Sequence, residues 1–367
     1  MEVSGPVPPV AAGSGRLAVL ADDLTGAADA AAPFAVRGLE VSVALTAATP
    51  GAVDVLALVT DNRWRPPEEA ADRMREAVER VRAWGPDLLF LKIDSTLRGR
   101  VRADVSVALD AWGTRNAVAT PAFPAQGRTV HDGALRVHGE ATVTDIGGHF
   151  PPGVRAVDAQ THGDLVQIAR RILADGAVAA GSGGLARALA EVLITTPAAR
   201  RFLATPVGGV LLVVGTDHPT TKAQVAPLLA TGADRLVVDD STPWPVEDAV
   251  SALRDGRRVL LTSAVVVDVP ADSPQAAALA ERLARVVAAV LDGAPSAGLV
   301  LTGGATALAV ATALGATELR LLAEVTEGLP LGELFTGDRR IPVVTKSGGF
   351  GAPDALCRAA EALEECA

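Results

Sequence analysis

A chain of 367 residues is too long for one ordinary core and suits two domains. Its composition, 49% hydrophobic and 21% charged, supplies large cores and excludes a disordered chain, while a net charge of −10 argues against a nucleic-acid or anionic-membrane surface. No apolar stretch reaches the roughly 20 residues of a membrane span.

Residues 1–15 have neither a basic start nor an apolar run and read as a loose tail rather than a signal peptide. From there short apolar runs alternate with Ala-rich helical stretches. RLAVLAD (16–22) reads as a strand and Thr25 to Arg37 as a helix. VDVLALVTD ends a second strand near Asp61, before a charged helix over 67–84. DLLFLKI (87–93) is a third strand, with a helix from about Arg100. Strands without polar alternation, spaced by helices, predict an α/β fold: mostly parallel sheets flanked by helices.

Residues 120–163, rich in Gly, Pro and His, predict a functional loop region with short strands. The break TPAARRFLATPVGG (196–209) marks the boundary between an expected domain over 16–205 and a second over 206–367. Cys357 and Cys366 fall in or beside the last helix. So few thiols, without a secretion signal, point to the reducing cytoplasm and exclude a cysteine-built metal site. The five histidines show no metal-ligand spacing, so no protein metal centre is expected.

Open parallel sheets bind ligands beyond the C-terminal ends of their strands. ADDLTGAAD (21–29) puts Asp22 and Asp23 at such an end. Either could accept a hydrogen bond or a proton from a hydroxyl; the ordinary alternative, a helix N-cap, accounts for one Asp but not two. KIDSTLRGR (92–100) crowds Lys92, Ile93, Asp94, Ser95 and Arg98 into one turn, with cations for a carboxylate or phosphate. Arg63 in TDNRW could add a second clamp. Only Lys92, Lys222 and Lys346 are lysine among the 33 basic residues, a hint that a compact ammonium matters where it was kept.

GSGGLA (181–186) fits a dinucleotide fingerprint, but the acidic residue it requires about 20 positions on is missing; its glycines either present amides to an anion or allow tight packing. Three later turns suit phosphate: Gly215 and Thr216 with His218, the run Gly303–Gly304–Ala305–Thr306, and Lys346 with Gly348 and Gly349. P-loop and nucleophile-elbow motifs are absent.

ADDLTGAAD, KIDSTLRG, PAFPAQGRTV, GSGGLA, TGGAT and TKSGGFGAPDAL occur in the order of the four-carbon acid sugar kinases, which the chain resembles over nearly its whole length. The resemblance implies an N-terminal domain for the sugar acid and a C-terminal domain for ATP, with Mg²⁺ and transfer to the terminal hydroxyl of threonate, erythronate or 3-oxo-tetronate. It places Asp22 or Asp23, Arg63 and Lys92–Ser95 around the acid, and Thr216, Gly303–Thr306 and Gly349 around the nucleotide. A homodimer is compatible with it; nucleic-acid and membrane partners are not expected.

Three departures stand out. Ala305 replaces a usual acidic or polar residue, GTDHPTT replaces a Gly-Ser start, and the chain is short, with the deficit expected between 240 and 300. They leave room for a ligand-binding regulator that lost turnover, or for a kinase of another small hydroxy acid. A nicotinamide dehydrogenase built on GSGGLA is the third reading.

Overall fold

In the first unit, β1 (Leu17–Ala21), α1 (Leu24–Val36) and β2 (Val41–Ala44) are followed by β3 (Val55–Val59), α2 (Pro67–Trp84), β4 (Leu88–Lys92), α3 (Val101–Trp112) and β5 (Ala117–Thr120). β6 (Arg128–His131), β7 (Ala134–Val137) and β8 (Glu140–Val143) come next, then β9 (Val154–Ala156), α4 (His162–Asp175), β10 (Val178–Gly181) and α5 (Gly183–Leu193). The protein is described from a computed structural model over residues 15–47, 51–195, 208–239, 244, 246–263, 273–337 and 339–365. The expected tail, apart from Gly15, most of the 196–209 break, and Cys366 lie outside the described residues, as do 240–243 and 264–272 within the expected deletion.

Strands β3-β1-β4-β10-β5-β9 form a parallel sheet in that order. β1 is buried along its whole length, which is why the sequence shows no alternation there. Helix α2 starts with Pro67 and the acids Glu68 and Glu69, and stops at Gly85, whose φ of 75° suits a residue without a Cβ. Its Ala70, Met74, Ala77, Val78 and Val81 bury one stripe. The expected loop region carries a separate antiparallel sheet, β6-β7-β8.

The second unit holds β11 (Val210–Val214), α6 (Pro219–Ala230), β12 (Asp234–Val238), α7 (Val246–Arg254), β13 (Arg258–Ser263) and α8 (Pro274–Gly293). β14 (Gly298–Thr302), α9 (Gly304–Ala313), β15 (Glu318–Glu324), β16 (Pro330–Thr336), β17 (Arg339–Lys346) and α10 (Ala355–Glu364) complete it. The order β12-β13-β11-β14-β17 is parallel, and β17-β16-β15 continues it antiparallel. Its core packs Leu212, Leu260, Val300 and Val344 under Leu356 and Leu363 of α10.

The units are not contiguous in sequence. Asp23–Ala32 and Ser42–Pro50 group with the second unit, while Asp22 groups with the first. Among the described residues no helix is long and apolar enough to cross a membrane.

Candidate active site

In the first unit the register aligns Ala21 with Val59 on one side and Lys92 on the other, and Lys92 with Gly181. The residues after these strands therefore emerge along one edge. Asp22 receives a two-pronged bond from Arg63, Nε to Oδ2 at 2.6 Å and Nη2 to Oδ1 at 2.7 Å. Arg63 also lies 3.8 Å from Asp94 Oδ2.

After β4 the chain turns over Asp94. Its carboxylate accepts from Thr96 N at 2.9 Å and from Arg98 Nη2 at 2.6 Å. Burial would push its pKa up. The Arg98 bonds and charge, with the charge of Arg63, outweigh that and hold it well below the usual carboxylate range. The turn needs Leu97 at a φ of 61°, a left-handed conformation that costs a side-chain-bearing residue roughly 1–2 kcal/mol. Asp94 thus organises the turn from within.

Lys92, 9% exposed, differs from the two arginines. Among the described residues its side chain makes one hydrogen bond, from Nζ to Ile93 O at 3.1 Å, which leaves donors of the ammonium for a ligand. It lines a small pocket of about 20 Å³ with Asp22, Asp94, Asp104 and the apolar Leu20, Met74, Val101 and Val105. That is room for one polar end of a ligand, the size of a water.

In the second unit the C-terminal edge aligns Val214 with Thr302, and Thr302 with Lys346. Beyond it lie the three turns expected to suit phosphate. At the second, Gly303 has a φ of 98° and leads into α9. A Cβ on Gly304 would lie 2.7 Å from Cγ of Asp23, so any side chain there would force the Asp23 carboxylate to shift. Thr302 Oγ1 is buried with no partner among the described residues. At the first, Thr216 Oγ1 accepts from His218 N, and His218 caps α6 by accepting from Thr220 N. Ser347 Oγ of the third turn donates to Thr25 Oγ1 at 3.3 Å, and Thr25 donates on to Asp23 at 2.9 Å.

Lys346 is wholly buried. Its Nζ donates to Thr221 Oγ1 at 2.9 Å, Ser347 O at 3.1 Å and Phe350 O at 3.2 Å. Burial pulls its pKa down to about 7.

Residues 17–149 match the family model of a sugar-binding N-terminal domain, and residues 211–356 that of a nucleotide-binding C-terminal domain. A D-threonate kinase of Bordetella bronchiseptica is 35% identical, covering 96% of this chain and 98% of the relative. The chain belongs to the four-carbon acid sugar kinase family. A D-erythronate kinase of Heliobacterium modesticaldum is 26% identical over 95% of this chain and 97% of its own. A crystal structure from Salmonella typhimurium LT2 shares the fold, with a TM-score of 0.72 at 21% identity, covering 94% of this chain and 98% of that one. The Bordetella alignment runs over 413 positions, more than this chain has residues, so that family member carries segments missing here.

Against the family pattern, Asp22, Arg63, Lys92–Ser95 and Arg98 come together in the first unit. Thr216, Gly303–Thr306 and Lys346–Gly349 come together in the second. The adjacent acids separate. Asp22 pairs with Arg63, whereas Asp23 caps α1, accepting from Gly26 N at 2.6 Å, and abuts Gly304. The N-cap reading thus holds for Asp23, while Asp22 is bonded to Arg63. Arg63 and Arg98, expected as carboxylate clamps, are bonded to Asp22 and Asp94. Ala305 is exposed in the first turn of α9. In GSGGLA a Cβ on Gly184 would lie 2.8 Å from Ala122 O, and Ser182 caps α5, so this motif serves close packing.

Sequence reasoning passed over Asp104, in the first turn of α3 on the pocket wall. Burial and then the charge of Asp22 push its carboxyl up to about 7, against the pull of Arg100 and Arg63. An acid in a first helical turn is too common to stand out. Arg128, in PAFPAQGRTV, was also missed. Burial lowers its pKa and the charge of Asp94 opposes that, which puts it within electrostatic reach of the same turn.

Proposed function

We propose that this chain is an ATP-dependent kinase that phosphorylates the terminal hydroxyl of a four-carbon sugar acid such as threonate, erythronate or 3-oxo-tetronate. The observation that carries the substrate class is Lys92. It is a nearly buried ammonium at a strand end, with donors left for a ligand and a pocket in front of it. A carboxylate satisfies such a cation where a neutral polyol would not. Arg63 and Arg98 support this by fixing Asp22 and Asp94 around that pocket.

For the nucleotide, the supporting features are the bare Gly303–Gly304 entry to α9, the orphaned Thr302 hydroxyl and the second glycine turn at Gly348 and Gly349. Thr216, Ala305 and Thr306 complete the contour. Mg²⁺ bound with the phosphates would draw charge off the transferred group; it asks for few protein ligands, and Asp23 beside Gly304 is one carboxylate this chain offers there.

Phosphoryl transfer needs positioning and charge stabilisation more than covalent chemistry. Lys92 holds the far end of the acid, and Asp22, immobilised by Arg63, orients the hydroxyl that attacks. The test is ADP release from Mg-ATP across C3–C6 sugar acids, with Lys92→Ala and Asp23→Asn beside the wild type. Turnover with a four-carbon acid, lost in both variants, is expected. Nucleotide binding without turnover on any four-carbon acid would overturn the substrate class, and failure to bind nucleotide would overturn the kinase.

A further inference from the structure

Lys346 is the last residue of a buried strand, and its surroundings do not fit a lysine that reaches for phosphate. An ammonium has three protons. All three go to protein oxygens: Thr221 Oγ1, Ser347 O and Phe350 O. The Thr221 hydroxyl donates its own proton to Gly348 O at 2.7 Å, so toward Lys346 it can only accept. Every oxygen around Nζ is thus an acceptor, and only the charged form of the lysine satisfies the set. Below it, Gln224 Nε2 holds Phe350 O, Gly351 O and Ala352 O at 3.0, 3.1 and 2.9 Å.

Three fully buried side chains therefore pin five carbonyls of one glycine turn. A trans peptide is planar, with each C=O opposed to the N–H that follows it. Drawing Ser347 O and Gly348 O inward turns the N–H groups of Gly348 and Gly349 to the opposite side of the turn. Among the described residues no carboxylate forms an ion pair with Lys346, so in its protonated form the charge stays uncompensated beneath the turn and favours an anion above it.

We propose that Lys346 is a positioning residue: together with Thr221 it holds the 347–351 turn in the shape that receives the nucleotide phosphates, and does so without touching them. This rests on the second unit being the nucleotide site.

The experiment is calorimetric binding of Mg-ADP together with sugar-acid kinetics, on wild type, Lys346→Met, Thr221→Val and Thr221→Ser. Hydrogen exchange over residues 347–352 is followed without nucleotide. Expected are losses of about tenfold or more in ADP affinity for Lys346→Met and Thr221→Val, the scale of one charge-assisted hydrogen bond. Faster exchange over 347–352 should accompany them, with an unchanged KM for the sugar acid. Thr221→Ser keeps the hydroxyl and should bind as wild type does. Wild-type affinity and exchange in Thr221→Val, beside a loss in Lys346→Met, would mean that the lysine meets phosphate itself and would overturn the proposal. So would unchanged ADP binding in Lys346→Met. A wild type that binds no nucleotide would instead bring down the reading beneath it.

Discussion

Lys92 and Lys346 are the same device put to two uses. Each ends a largely buried strand, and each bends its Nζ to the carbonyl of the next residue at 3.1 Å. In the first unit the bending stops there, and the ammonium faces a pocket bordered by three aspartates. In the second, two further oxygens close around it. What a strand-end lysine does is decided by how many acceptors the following turn turns back toward it: a poorly satisfied ammonium waits for a ligand, and a saturated one shapes the backbone.

The sharpest way to break this comparison is a double dissociation. Lys92→Met should lower kcat/KM for the sugar acid by on the order of a hundredfold, the usual size for leaving a buried charge without its partner, with Mg-ADP affinity unchanged. A parallel fall in ADP affinity would show that the two lysines serve one site. Next in size is Gly304→Ala. Its methyl would press on the Asp23 carboxylate, and nucleotide affinity should fall about tenfold while hydrogen exchange over α3 stays as in wild type.

Stability should respond to pH in opposite directions around the two sites. Lys346 titrates near 7 in the folded protein against an ordinary 10.5. Between those values the unfolded chain holds a proton that the native one lacks, so this group makes stability rise with pH across 7 to 10.5. Asp104 titrates near 7 against 3.8, so the native state holds the extra proton and its contribution is lost as pH rises from 3.8 through 7. Denaturant unfolding from pH 4 to 10 should show Asp104→Asn gaining on wild type toward pH 8. The stability of Lys346→Met relative to wild type should be highest at pH 7 and below and fall as pH rises toward 10. Differences that stay flat with pH would contradict both environments. The smallest effect is a control: Thr161→Ala removes the capping box of α4, remote in kind from either lysine, and should cost about 1 kcal/mol with kcat unaltered.

Much of the fold was legible in the chain. The helix expected over 67–84 is Pro67–Trp84, and the strand read in 16–22 is Leu17–Ala21, because continuous apolar runs and proline–glycine punctuation are local signals. The antiparallel return of β16 between β15 and β17 was not legible. All three strands carry apolar runs compatible with either direction, and pairing direction is a non-local choice.

By itself the sequence determined the class of the fold, the strand-end edges on which the candidate residues lie, the residue types gathered there and the family. Local propensity and hydrophobic pattern carry the first, and motif order carries the last. Only the tertiary structure decided which cation meets which oxygen. It sent Asp22 to Arg63 and the adjacent Asp23 to a glycine turn nearly three hundred residues away. It spent Arg98 on Asp94, left donors on Lys92 and saturated Lys346. Hydrogen-bond partners at these sites are set by which turns the packed strands bring side by side, and no spacing along the chain encodes that.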